Sequence, residues 1–183
     1  MTLFRSYETE GPSGGHTRER NKAILGVLVF QGLGAGEAAR LDVKDVDLEG
    51  GLLPVPGSRI REGRTLELSG VQVLGLHRYL LESRGAILRD TGKETQRLFV
   101  SAGSGAKLNN ALSVLMRELR GRHPWFRNVR QIRSSRIALW LKEHDIREVQ
   151  YLAGHRYVSS TERYQAADLD ALHRSLSRHH PLG

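Results

Sequence analysis

Residues 130–165 read RQIRSSRIALWLKEHDIREVQYLAGHRYVSSTERYQ, and three side chains in that run govern the reading of the whole chain. Ile132, Ile137, Leu139, Trp140 and Leu141 recur at helical spacing and mark the buried side of a helix over about 128–143. Arg130 and Arg133 stand one turn apart on another face. Arg133 sits beside Ile132 and two serines, at the edge of an apolar stretch where an unpaired charge is costly. Gly154 closes a second helix over 146–153, as glycine commonly does. His155 follows at once, and Tyr164 stands nine residues later across a hydroxyl-rich turn. Taken singly, these are a surface arginine, a hydrogen-bonded structural histidine and a half-buried aromatic. Together, at these spacings, they point to one shared site.

The composition narrows what that site could serve. The chain has 183 residues, enough for one domain with a substantial core. Its longest apolar run, AILGVLVF at 23–30, is far short of the ~20 residues a membrane helix needs. There are no cysteines, which removes disulfides, thiolate nucleophiles and cysteine metal sites, and the default compartment is the cytoplasm. The histidines show no metal-binding pairing. A net charge of +8 points to a polyanionic partner. The charge is concentrated: Arg117, Arg120, Arg122, Arg127, Arg130, Arg133 and Arg136 are opposed by Glu118 alone. Arginine in place of lysine suits bidentate phosphate contacts better than solubility. Aromatics make up only 6%, so stacked pairs of the kind that read single-stranded RNA are missing.

Residues 1–16 are poor in apolar side chains, end in a Pro/Gly/Ser cluster, and read as a flexible arm or linker. A helix is predicted from Thr17, carrying Ile24, Val27, Leu28, Phe30 and Leu33 inward. GLGAG at 32–36 breaks it, and a short helix, GEAARL, follows. Leu52-Leu53 and Val55, then Thr65, Leu66 and Leu68, suit two short strands joined by the basic tip SRIREGR. A helix over about 70–84, a strand at 97–101 (RLFVS) and helices at about 107–121, 128–143, 146–153 and 168–179 complete the pattern. It describes a mainly α domain with a small antiparallel β-sheet.

The segment from Arg130 to Pro181 resembles the carboxyl half of the tyrosine recombinases, the phage-integrase and Xer-type family. There an H-x-L-R-H motif, a helix, L-G-H and a tyrosine nine residues on occur in the order of RQIRS at 130–134, AGH at 153–155 and Tyr164 here. Upstream, QGLGAGEAARLDVKDVDLEGG is similar to the family's T-G-L-R-x-x-E-L-x-x-L-x-x-x-D-I-D-L, with Glu37, Leu41, Asp45, Val46 and Asp47 in place. VPGSRIREGRTLEL occupies the place of a hairpin, G-K-G-x-K-E-R-x-V-P-L. The tail after Tyr164 ends in His-Pro as in the Xer proteins.

The resemblance implies the tyrosine recombinase catalytic-domain fold over 17–183, without the amino-terminal core-binding domain that family members carry. It implies site-specific recombination and integration of double-stranded DNA through a 3′-phosphotyrosine intermediate, with no cofactor or metal. Tyr164 takes the place of the nucleophile, Arg133 of a phosphate-binding arginine, and His155 of the family's histidine or tryptophan. Three positions depart: the first arginine falls on Gly34, the hairpin lysine on Ser58, and the histidine of H-x-L-R on Arg130. Either the phosphate clamp is rebuilt from Arg130 or the hairpin arginines Arg59, Arg61 and Arg64, or the protein binds DNA with impaired cleavage. Arg127 and Arg136 are further candidate DNA contacts. By the same resemblance the protein is a monomer when free and a homotetramer on synapsed sites, with Leu169, Leu172 and Leu176 as candidate contacts.

Overall fold

The computed structural model describes residues 2–10, 15–102 and 108–165. Helix α1 (Thr2–Glu10) leads into α2 (His16–Phe30), followed by the single turn α3 (Ala35–Ala38). Strands β1 (Leu52–Val55) and β2 (Arg64–Glu67) form an antiparallel hairpin. Helix α4 (Gly70–Arg78) passes through a π-turn at Tyr79–Ser83 into α5 (Arg84–Thr91). Helices α6 (Asn109–Arg122), α7 (Val129–Glu143) and α8 (Ile146–Ala153) follow, and residues 159–165 are again helical. The mainly α architecture with a two-stranded sheet matches the pattern read from the sequence.

Helix α2 is the axis of the packing. Ala23, Ile24, Leu25, Val27 and Leu28 are all buried along it, and it packs against α1, α4, α5 and α7. Such all-round burial is what a run as apolar as AILGVLVF dictates. Helix α7 starts where Asn128 accepts a hydrogen bond from the Gln131 backbone, and α8 where Asp145 accepts from Arg147 and Glu148. In the hairpin, Leu53 pairs with Leu66 and Val55 with Arg64. Leu53, Val55, Leu66 and Arg64 are the buried positions of that alternation. A charged side chain thus occupies an inward slot.

Three expectations are corrected. Residues 1–16 were expected to be a flexible arm, yet Thr2–Glu10 is a helix whose Leu3, Phe4 and Tyr7 are buried. Phe4 packs edge-on against Phe30 at 5.1 Å, which anchors α1 to α2. RLFVS is not a strand: it is held by an isolated bridge between Asp42 and Arg97 and by the Leu98 N–H donating to the Leu41 carbonyl. Its buried Leu98, Phe99 and Val100 account for the apolar run that suggested one. The helix expected to end near 84 continues to Thr91, where Gly92 adopts a left-handed conformation. The helix expected at 168–179, with its three leucines, lies outside the described residues. Among the described residues no helix is long and apolar enough to cross a membrane.

Candidate active site

Glu37, in the short helix α3, is the centre of a buried charge cluster. Its Oε2 accepts the Gly34 N–H at 2.9 Å. Three guanidiniums surround the carboxylate. Arg64 Nη1, from β2, lies 2.7 Å from Oε1; Arg133 Nη1, from α7, lies 3.4 Å from Oε2; Arg61 Nε, from the hairpin tip, lies 3.6 Å from Oε2. The carboxyl end of α8 supplies further acceptors. Arg64 Nε donates to the Leu152 carbonyl at 2.8 Å, and Arg133 donates to the carbonyls of Ala153 and, at 2.7 Å, Gly32. The last carbonyls of a helix have no partner within it and carry its negative dipole end, so they suit guanidinium donors.

Gly154 then turns the chain with φ +62°, and the turn presses against the hairpin. Glu62 N–H donates to the Gly154 carbonyl, a backbone bridge joins Arg61 to His155, and Arg156 pairs with Glu62 at 2.8 Å. These contacts carry His155 to the edge of the cluster. Its Nδ1 lies 2.9 Å from Thr161 Oγ1, and its ring stacks on Tyr164 with centroids 5.9 Å apart at 14°. Tyr164 is half-buried against Ile137, Trp140, Val149 and Ala153. Beside His155 opens a cleft of about 220 Å³ lined by Arg59, Ile60, Arg156, Tyr157 and Ser160.

The electrostatics follow from burial and crowding. Burial alone would raise the Glu37 carboxyl, but Arg64, the Gly34 N–H and Arg133 outweigh it and hold the group below its usual range. Arg133 is lowered to about 10 by burial first and by the charge of Arg61 second. His155 is lowered to about 4 by burial, then by Arg133, Arg61 and Arg64. The imidazole is therefore neutral at physiological pH, facing three cations offset by only one carboxylate. An arrangement like this can accept an anion.

The structure brings Arg133, His155 and Tyr164 together, and adds Arg61 and Arg64 from the hairpin. Arg59 lines the adjoining cleft. Arg130 and Arg127 are exposed, and among the described residues Arg130 takes no part in the cluster. Arg136 is half-buried with its guanidinium 4.9 Å from the Trp140 ring. The backbone of Ser58 pairs with Arg61, which fixes the hairpin tip. Sequence reasoning missed Glu37 as a site residue, and Thr161 as the partner of His155. A signal for Glu37 was present: it is one of the positions at which residues 31–51 keep the family's pattern. Among the described residues no group of three or more His, Asp or Glu could hold a metal.

The profile of the phage integrase family matches residues 8–170. The chain belongs to the phage integrase family. It is 26% identical over 182 residues to tyrosine recombinase XerC of Oceanobacillus iheyensis, covering 98% of this chain and 58% of that protein. It is 27% identical to tyrosine recombinase XerD of Mycobacterium tuberculosis, covering 99% and 58%. The chain thus spans a little over half the length of these relatives. Among solved structures, that of XerA recombinase superposes with a TM-score of 0.72 at 24% identity, covering 99% of this chain and 62% of that one. XerH bound to palindromic difH substrate, a post-cleavage complex, gives 0.75 at 22%, covering 96% and 50%. The fold is the one these recombinases share.

Proposed function

We propose that this chain is the catalytic part of a site-specific recombinase that cuts and rejoins double-stranded DNA through Tyr164. Cleavage by a phenol must neutralise the diester, help the tyrosine lose its proton and protonate the departing 5′-oxygen. A tyrosine pKa near ~10 makes it a weak nucleophile at neutral pH, so neighbouring cations matter. The Oη of Tyr164 attacks phosphorus, the bond from phosphorus to the 5′-oxygen breaks, and the 5′-hydroxyl leaves with one proton. One phosphodiester replaces another, so a second strand reverses the step without ATP. Arg133 and His155 hold the phosphate, and Arg130, exposed one turn before Arg133, is available to the DNA backbone. Donors aimed at the phosphorane stabilise it by about 3 kcal/mol for each well-placed group.

The observation that carries this reading is the stacking of Tyr164 on His155 beside a guanidinium cluster with two positive charges in excess, three arginines less one carboxylate. The likeness to XerC and XerD, and the fold shared with a DNA-bound XerH, support it. On this reading the partner is duplex DNA, and the assembly is a homotetramer on two synapsed sites, formed from monomers in the cytoplasm. A nicked suicide substrate tests it. The protein should form a covalent adduct that survives denaturant and disappears in Tyr164→Phe.

A second reading is favoured by Gly34 and by the hairpin, whose tip carries arginines and no lysine. Arginine hardly deprotonates and is a poor general acid. On that reading the protein binds DNA with steep salt dependence yet forms no adduct. Large activation by Gly34→Arg with Ser58→Lys would mark the native site as impaired.

A further inference from the structure

Three arginines meet one carboxylate in this cluster, and they are not equivalent. Arg64 and Arg133 have side chains only 0% and 5% exposed, and both are clamped by Glu37 and by carbonyls. Arg61 is the loose member. Its side chain is 25% exposed, and its contacts with Glu37 Oε2 and the Ala153 carbonyl, at 3.6 and 3.5 Å, lie at the outer limit of hydrogen bonding. Among the described residues the three arginines make ion pairs with Glu37 alone. In the same cluster, Arg64 Nη2 is a buried donor with no partner. A buried guanidinium N–H left unsatisfied is costly unless something fills the space in front of it.

Position 34 meets the same carboxylate oxygen. A Cβ on Gly34 would lie 3.4 Å from Glu37 Oε2, the oxygen that Arg61 Nε approaches at 3.6 Å. Gly34 has an extended backbone, φ −79° and ψ 159°, that any residue adopts. A long side chain there would start from the edge of the cluster that Arg61 now reaches from the hairpin. Arg61 is also tied by its backbone to His155, which holds the hairpin tip beside the imidazole's turn. Its charge depresses both His155 and Arg133, which places it electrostatically inside the site.

We propose that Arg61 is a second phosphate-binding cation of this site beside Arg133, delivered by the hairpin to the edge of Glu37 that a side chain at position 34 would otherwise occupy. When a DNA phosphodiester enters, Arg61 exchanges its long contact with Glu37 for a two-pronged grip on the phosphate. Arg64 Nη2 is a further, buried donor of the same cluster. The proposal rests on the cleavage reading and sharpens it.

The experiment compares wild type, Arg61→Ala, Arg61→Lys and Arg61→Ala with Gly34→Arg in single-turnover adduct formation on a nicked duplex. Thermal melts check that each variant folds. Loss of one phosphate donor should slow Arg61→Ala by ~100-fold or more, with low-salt duplex binding changed by less than about 3-fold. Arg61→Lys, a point charge in place of a fork, should fall between. The added arginine at 34 should restore at least ~10-fold of the loss, which a purely structural role of Arg61 does not predict. Wild-type rates in Arg61→Ala, or absence of rescue in the double variant, overturn the proposal. If wild type itself forms no adduct, the cleavage reading fails and the proposal is judged on inorganic phosphate. Phosphate should then raise the melting temperature of wild type and leave that of Arg61→Ala unchanged, and equal shifts overturn it.

Discussion

At position 154 a glycine is required twice over. Its φ of +62° is left-handed, and a Cβ there would stand 2.5 Å from Arg64 Nη1 and 3.0 Å from the Glu62 carbonyl. Left-handed backbone costs an ordinary residue about 1 kcal/mol, and the clash pushes Arg64 off Glu37, breaking a buried ion pair worth about 3 kcal/mol or more. Gly154→Ala should therefore lower stability by about 4 kcal/mol, read as a shifted urea midpoint at constant slope. His155, one residue on, makes stability depend on acid. Its folded pKa of about 4 lies below the ordinary 6.5. Between those values the unfolded chain binds a proton that the folded chain refuses, so stability is full above pH 6.5 and falls as the pH drops towards 4. The loss is at most about 3 kcal/mol, and it should shrink in His155→Gln when melts are compared at pH 7 and pH 4.5. An unchanged pH profile in that variant would assign the acid sensitivity elsewhere.

At the scale of elements, the site is a meeting of ends: the amino end of α3, the tip of the hairpin, the body of α7 and the carboxyl end of α8. Glu37 is the joint. It faces Arg64 and Arg133 at 2.7 and 3.4 Å, and replacing its charge leaves those cations buried without an anion. Glu37→Gln keeps the shape, so the expected loss of about 3 kcal/mol is electrostatic, and added inorganic phosphate should restore more melting temperature in the variant than in wild type. Equal restoration would show that the carboxylate and an anion do not share the cluster. The helices were legible because their apolar residues recur at three and four, and Gly154 marks the end of one. The convergence of Arg133, His155 and Tyr164 was legible from motif spacing. The partnership of Glu37 with Arg64 was not, because nothing along the chain says which inward slot of a strand a distant carboxylate will answer. Helix α1 was missed because Leu3, Phe4 and Tyr7 are few and stand before a Gly/Pro break, and their burial comes from the surface of α2. RLFVS had the right residues for a strand and no neighbour to pair with beyond one bridge.

At the scale of the whole molecule, the formal charge overstates the surface that DNA could meet. The seven arginines between Arg117 and Arg136 read along the chain as one patch, but folding divides them. Arg133 is buried at Glu37, Arg136 lies against Trp140, Arg122 sits 5.9 Å from the Tyr7 ring, and Arg120 donates to the Met116 carbonyl. Arg117, Arg127 and Arg130 remain exposed, as does Arg120 despite its bond to the Met116 carbonyl. Counterion release makes the salt dependence of duplex binding a count of phosphates actually neutralised, at about 0.9 in the logarithmic slope for each. If Arg127 and Arg130 each hold one phosphate, replacing both by alanine should make the slope shallower by about 2 and leave the melting temperature nearly unchanged. Arg136→Ala should do the reverse, lowering the melting temperature through lost packing on Trp140 while the slope stays within about 0.5 of wild type. A slope that moves equally in both variants would mean that Arg136 leaves Trp140 when DNA binds, and the division seen in the free protein would not carry over to the complex.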